Sequence, residues 1–162
     1  MNIDIYCIGG LKEDYLRGAE NEYTKRLTPY CKVSVTEFRE ARLPQNAGSA
    51  EEENVRCREG ETLLAAVEKQ GREAYVIALD MRGRQLTSEG FAQKIEGLAL
   101  SGKSSLIFLI GGSLGLPEQV RNRANDVMSF SELTFPHQLA RIILLEQLYR
   151  AQKILRGEPY HK

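Results

Sequence analysis

The sequence has no net charge: 22 Lys and Arg balance 22 Asp and Glu over 162 residues. That excludes the uniformly basic body of a protein that holds nucleic acid by electrostatics alone, so any nucleic-acid contact is expected to be local. A Cys-x-x-Cys pair is also missing. Cys7, Cys31 and Cys57 form an odd set, which argues against a disulfide framework and a zinc site, and no metal is expected. Reduced thiols in a cytoplasmic protein are expected instead, with Cys7 a small core residue inside an apolar run. No apolar stretch approaches the ~20 residues of a membrane span. The opening Met1-Asn-Ile-Asp-Ile5 has no basic region and is interrupted by Asp4, so it does not read as a signal peptide. Internal repeats and low-complexity segments are lacking too.

What is present fits one domain. Apolar residues make up 42% of the chain without a strong shift between its halves, enough for a real core. Charge is unevenly placed, however. Between Glu51 and Glu61 five Glu face only Arg56 and Arg58, whereas from Pro136 onward Arg141, Arg150, Lys153, Arg156 and Lys162 face only Glu146 and Glu158. These read as a solvated acidic helix face and a basic end.

Apolar periodicity orders the elements. Residues 2–9 predict a strand that ends in a Gly9-Gly10 turn, and residues 12–27 a helix with Tyr15, Ala19, Tyr23 and Leu27 on one face. Val33 and Val35 alternate with polar residues in a second strand over 32–38. The acidic stretch opens a helix from Ser49 or Ala50 to about Gly71, its early Glu residues complementing the helix dipole. Residues 74–79 and 105–110 are continuous apolar runs of the kind buried on both faces of a parallel sheet. Between them, residues 80–85 cross to a helix opened by Ser88 and ending near Gly102. A short helix over 117–122, a short strand over 126–129 and a long helix over 136–156, with Pro136 in its first turn, complete the order. The prediction is an α/β fold, a mostly parallel sheet with helices on both faces. Ligands in such sheets collect beyond the carboxyl ends of the strands, here at loops 80–87, 111–116 and 130–135.

Several motifs have two readings. Gly97-Leu-Ala-Leu-Ser-Gly-Lys-Ser104 matches a P-loop letter for letter, but a helix precedes it and a strand follows, the reverse of what phosphate binding at a helix N-terminus requires. It reads as a helix end with a Gly terminator. Gly111-Gly-Ser-Leu-Gly115 follows a strand, which suits close approach of backbone to a ligand, and equally suits a tight turn. Phe130-Ser-Glu-Leu-Thr-Phe135 either folds back on the core or lines a pocket for a flat ring. His137 serves as a base, a phosphate contact or a local cap. The last helix is apolar on more than one side, so it is either buried centrally or covered by a second subunit, and a dimer is the preferred explanation. The tail Glu158-Pro-Tyr-His-Lys162 has too few apolar residues to hold itself in place, yet it offers stacking, proton transfer and phosphate pairing, which suit RNA.

Leu79-Asp-x-x-Gly83, Ser88-Glu-Gly-Phe91, Phe108-Leu-Ile-Gly-Gly-Ser-Leu-Gly115, Ser131-Glu-Leu-Thr-Phe-Pro-His-Gln138, Glu146-Gln-Leu-Tyr-Arg-Ala151 and the final Pro159-Tyr-His-Lys162 together resemble the bacterial large-subunit ribosomal RNA pseudouridine N3-methyltransferases of the SPOUT superfamily. The likeness runs the full length, including Ile8-Gly-Gly-Leu-Lys-Glu13 and Tyr23-x-Lys-Arg-Leu27. It implies a deep C-terminal trefoil knot, which general topology rules would exclude, and a homodimer. S-adenosyl-L-methionine is the implied cofactor, held by Leu79, Gly111 and Phe130, Ser131, Glu132, Leu133, Thr134 and Phe135. The family loop typically has Met where this chain has Leu133, a change that keeps an apolar wall. The implied substrate is a pseudouridine of 23S ribosomal RNA in the assembled ribosome.

On that resemblance N3 of the base is expected to attack the methyl group directly, with no metal or covalent intermediate. His161 and His137 are then candidates for handling the N3 proton, Tyr160 for stacking, and Lys162 and Arg150 for phosphate or developing charge. A composite site is expected, with cofactor from one subunit and the tail from the other. A non-catalytic ribosome-binding factor is the alternative.

Overall fold

The computed structural model describes residues 1–71 and 73–161. In chain order the elements are β1 (Asn2–Ile8), α1 (Asp14–Leu27), β2 (Lys32–Phe38), α2 (Ser49–Gln70), β3 (Tyr75–Gln85), α3 (Ser88–Leu100), β4 (Ser105–Ile110), α4 (Glu118–Arg123), β5 (Asp126–Ser129) and α5 (His137–Leu155). The strands form one sheet in the order β2-β1-β4-β3-β5, and every pairing is parallel. β4, apolar from Leu106 to Ile110, lies inside that sheet. Its Leu106, Phe108 and Ile110 face one core with α1, α3 and α5, and its Ile107 and Leu109 face the other with α2 and α4. Helices on both faces explain why β4 shows no polar alternation, each buried side chain contributing roughly 1.5–3 kcal/mol.

Some boundaries differ from the sequence expectation for physical reasons. α1 begins at Asp14, because Arg17 is engaged with the carbonyls of Leu11 and Lys12. Pro136 is the N-cap of α5 rather than part of its first turn. β3 does not stop at Leu79. Residues 80–83 loop out as a bulge, after which Arg84 and Gln85 pair again with Met128 and Ser129 of β5. Gly83 makes this feasible, since a Cβ there would lie 2.5 Å from the Met128 carbonyl carbon. The P-loop match is excluded as expected: residues 97–104 are the end of α3 and its turn into β4, with Gly102 at φ +81°.

α5 lies against both α1 and α3. Leu144, Leu145, Leu148 and Ala151 are fully buried and Leu139 is 40% exposed, so central burial accounts for one part of its apolar side chains. Arg141, counted above with the basic end, is instead only 1% exposed. Its guanidinium donates to Glu37 Oε1 at 2.5 Å, Glu20 Oε2 at 3.1 Å and the Gly9 carbonyl at 2.9 Å. Burial alone would raise the Glu37 pKa, but Arg141 and the Leu11 N–H bring it below its ordinary value. Replacing Arg141 by Ala leaves these acceptors facing one another without a cation, and is expected to lower the unfolding free energy by about 3–5 kcal/mol in urea denaturation.

Candidate functional site

The bulge of β3 at residues 80–82 and the loops that follow β4 and β5, 111–116 and 130–135, meet at one cavity of about 640 Å³. Leu79, Gly111, Phe130, Ser131, Leu133, Thr134 and Phe135 line it, as the sequence reading placed them, whereas Glu132 does not. The glycine segment makes the tight turn, and its residues line the cavity. Gly115, at φ +76°, donates its N–H to the Gly112 carbonyl at 3.0 Å and closes a tight turn. A Cβ on Gly111 would approach the Gly115 carbonyl carbon to 2.7 Å, so that turn lies flat only with glycine. The Phe130 loop is likewise both things, because Phe130 packs on the core and lines the cavity.

Side chains outside the expected set hold these loops. Asp80 accepts the Arg82 N–H at 2.9 Å and pairs with Arg121 at 3.3 Å, and Arg121 also bonds the Leu116 carbonyl. The bulge of β3 is thereby tied to the glycine turn. Arg56 Nε donates to the Leu114 carbonyl at 3.0 Å from the opposite side. The acidic segment is not wholly a solvated face: Glu59 is 6% exposed, sits beside Gly112, and accepts the Ala41 N–H at 3.0 Å. Burial pushes the Glu59 pKa up.

His137 lines the cavity from the start of α5. Its Nε2 lies 3.3 Å from Glu40 Oε1 without completing a hydrogen bond. Burial depresses its pKa, Arg141 and Lys12 add to the effect, and Glu40 opposes it.

The tail is held, contrary to the sequence expectation. Tyr160 stacks edge-on to Tyr149 with ring centroids 4.9 Å apart, and the Arg150 guanidinium lies 4.8 Å from the Tyr160 ring. The Tyr160 hydroxyl donates to Glu146 Oε1 at 3.2 Å. Burial, with Tyr23 and Glu146 nearby, pushes the Tyr160 pKa up to about 12, so the phenol remains a donor. His161 lies between Glu89, with Nε2 to Oε1 at 2.7 Å, and Arg150, with Nδ1 to the guanidinium at 3.3 Å. Lys162 lies outside the described residues. Arg150, Tyr160 and His161 are thus brought together, but none of them lines the first cavity.

The basic end is also partly paired. Arg150 pairs with Glu146 at 2.5 Å and Lys153 with Glu158 at 2.5 Å, in addition to the buried Arg141. The glutamates lie on the same segment, so counting charges along the sequence could not show which cations were already matched.

A second cavity of about 230 Å³ adjoins the first behind Met128, Ser129, Phe130 and Phe135. Ser88 and Gln147 form its polar end, joined by a hydrogen bond of 2.8 Å. The sequence reading made Ser88 the helix cap, but the Thr87 hydroxyl performs that task by accepting the Gly90 N–H at 3.0 Å. No local signal could link Ser88 to Gln147, which stands 59 residues away.

A family model described as "Predicted SPOUT methyltransferase" matches residues 1–161. A protein of Clostridium novyi (strain NT) named ribosomal RNA large subunit methyltransferase H is 52% identical over 162 residues, covering 100% of both chains. Proteins of the same name from Alkaliphilus oremlandii (strain OhILAs) and Halothermothrix orenii are 50% and 49% identical, also over the full length of both chains. Among solved structures, a probable methylase family protein from Haemophilus influenzae Rd KW20 shares the fold with a TM-score of 0.55 at 12% identity, over 99% of this chain and 70% of that one. Among the described residues no helix is long and apolar enough to cross a membrane.

The depressed His137 pKa fixes a sign. Its neutral form is favoured by the fold, so the stability it confers is present above the ordinary histidine value of 6.5 and is lost as pH falls through the lower folded value. Thermal melts between neutral and mildly acidic pH are expected to show that loss, and a His137→Gln variant to lack this part of it.

Proposed function

The chain belongs to the SPOUT methyltransferase family, and from that premise we propose that it methylates N3 of a pseudouridine in 23S ribosomal RNA within the assembled ribosome, using S-adenosyl-L-methionine. The observation that carries this reading is the convergence of the β3 bulge and the loops after β4 and β5 on one cavity of about 640 Å³, in a chain about half identical over its full length to proteins named ribosomal RNA large subunit methyltransferase H.

The cavity suits that cofactor. Its volume falls in the range of about 300–1,000 Å³ usual for small-molecule sites. Phe130 and Phe135 offer apolar walls for a flat purine, and the glycine turn presents backbone at close range. Leu79, Gly111, Phe130, Ser131, Leu133, Thr134 and Phe135 hold the cofactor in this reading, with Glu132 at the loop's outer side. When bound, S-adenosyl-L-methionine supplies a methyl group activated by an adjoining sulfonium. The chain's own residues orient the base, exclude water and take up the N3 proton. His137, kept neutral by burial at the cavity wall, is able to accept a proton there. In the tail, His161 is the second candidate for proton handling, Tyr160 positions the base, and Arg150 with Lys162 favours negative charge on base or phosphate.

A trefoil knot belongs to the same proposal. It is supported by the path of the chain: the bulge of β3 lies against the backbone of β5, and the chain then re-enters between α1 and α3 as α5. We also infer a homodimer with a composite site. Leu133 is 71% exposed and Leu139 40%, on adjoining segments, and a second copy would cover them. The zero net charge of the chain favours the assembled ribosome over free RNA as substrate, because the ribosome then supplies docking surface that a neutral chain does not.

Incubation with labelled cofactor and ribosomes lacking the methyl group, followed by mapping of the label, tests acceptor and atom together. Calorimetry separates the alternative: a non-catalytic ribosome-binding factor gives no binding heat with S-adenosyl-L-methionine. Deleting 160–162 is expected to abolish transfer while calorimetric cofactor binding persists; undiminished transfer would sink the role of the tail. Mixing that variant with a chain disabled in the cofactor cavity restores activity only if the site is composite.

A further inference from the structure

The second cavity has no part in the reading above. At about 230 Å³ it is smaller than the usual range for cofactor-sized ligands and has room for a single six-membered ring. Phe91, Phe130 and Phe135 form its aromatic wall, and Ser88 with Gln147 its polar end.

The direction of each hydrogen bond fixes what that end offers. Glu146 receives Arg150 Nε at 3.0 Å and the Tyr160 hydroxyl at 3.2 Å, and as a paired carboxylate it only accepts. Gln147 Nε2 therefore turns to Glu146 Oε2, at 2.7 Å, and Gln147 Oε1 turns away from it. The Ser88 hydroxyl spends its one proton on that Oε1 at 2.8 Å. Lone pairs on Gln147 Oε1 and Ser88 Oγ are what remain, and they call for a donor.

A uracil ring linked to ribose through carbon, as in pseudouridine, carries an N1–H that uridine lacks, while both carry N3–H. We propose that this cavity receives the target ring and that Gln147 and Ser88 accept its N1–H, which makes them the residues that select pseudouridine over uridine. This rests on the pseudouridine reading above. Uridine in the same place would turn a C–H towards these lone pairs, which then lack the donor that pseudouridine supplies, a loss that hydrogen-bonding sites convert into discrimination. Holding N1–H also directs N3, the atom to be methylated, away from the polar end. The same polar end is joined through Glu146 to Arg150 and to Tyr160 of this chain's own tail.

The test offers the protein two kinds of ribosome with labelled cofactor, one carrying unmethylated pseudouridine at the target position and one carrying uridine. The wild type is expected to label the first at least about tenfold faster. Gln147→Met and, separately, Ser88→Ala are expected to bring that ratio towards one by slowing transfer to pseudouridine, with cofactor affinity by calorimetry unchanged. Should Gln147→Met fail to bind cofactor, Ser88→Ala decides, since it removes one hydroxyl that no longer serves as the cap. A ratio that stays at its wild-type value in variants that bind cofactor overturns the inference and leaves the methyltransferase reading intact. No label on either ribosome from the wild type overturns both.

Discussion

The Arg141 guanidinium is the contact on which the rest of the molecule depends. It is taken out of water, a cost of several kcal/mol for an unpaired ion that close partners offset. Here two carboxylates from α1 and β2 and a carbonyl just after β1 engage both terminal nitrogens, while Nε has no partner. One side chain of α5 thereby fixes where the helix begins relative to three earlier elements. The 130–136 connection is then pinned at both ends, by β5 pairing before it and by Arg141 after it. Its aromatic residues are held in place as a lining shared by the two cavities because they have little freedom to be anywhere else.

Backbone rather than side chains shapes most of the larger cavity. The bulge of β3 requires Gly83 against Met128, and the turn after β4 requires Gly111 against Gly115. Leu133, which lines that cavity, keeps an apolar side chain where the resembling family usually has Met. The side chains that matter tie loop to loop. Asp80 with Arg121 joins the bulge to the glycine turn, and Arg56 holds that turn from α2.

The sequence made the strands, the helices and the three strand-end loops legible because each leaves a local pattern: apolar runs in β3 and β4, glycines after β4, proline before α5. Contacts across the chain leave none. Arg141 looked like one more cation of a basic end, and its partners are more than 100 residues away. The strand after Leu79 looked finished, because the re-pairing of Arg84 and Gln85 with β5 depends on a bulge that no periodicity marks. The tail looked loose because its anchoring uses ring edges and charges rather than apolar bulk. Ser88 looked like a cap because it stands one residue from the real one.

The tail and the small cavity depend on the same carboxylate. Glu146 binds Arg150 and Tyr160 on one oxygen and Gln147 on the other. An uncharged residue there would free Gln147 to turn its amide, and would equally loosen the Arg150 guanidinium and the hold of α5 on Tyr160. Selection of the base and placement of the tail are thus not independent properties of this chain. Both follow from one charged group on α5, a helix whose own position is fixed, less than two turns earlier, by the buried arginine.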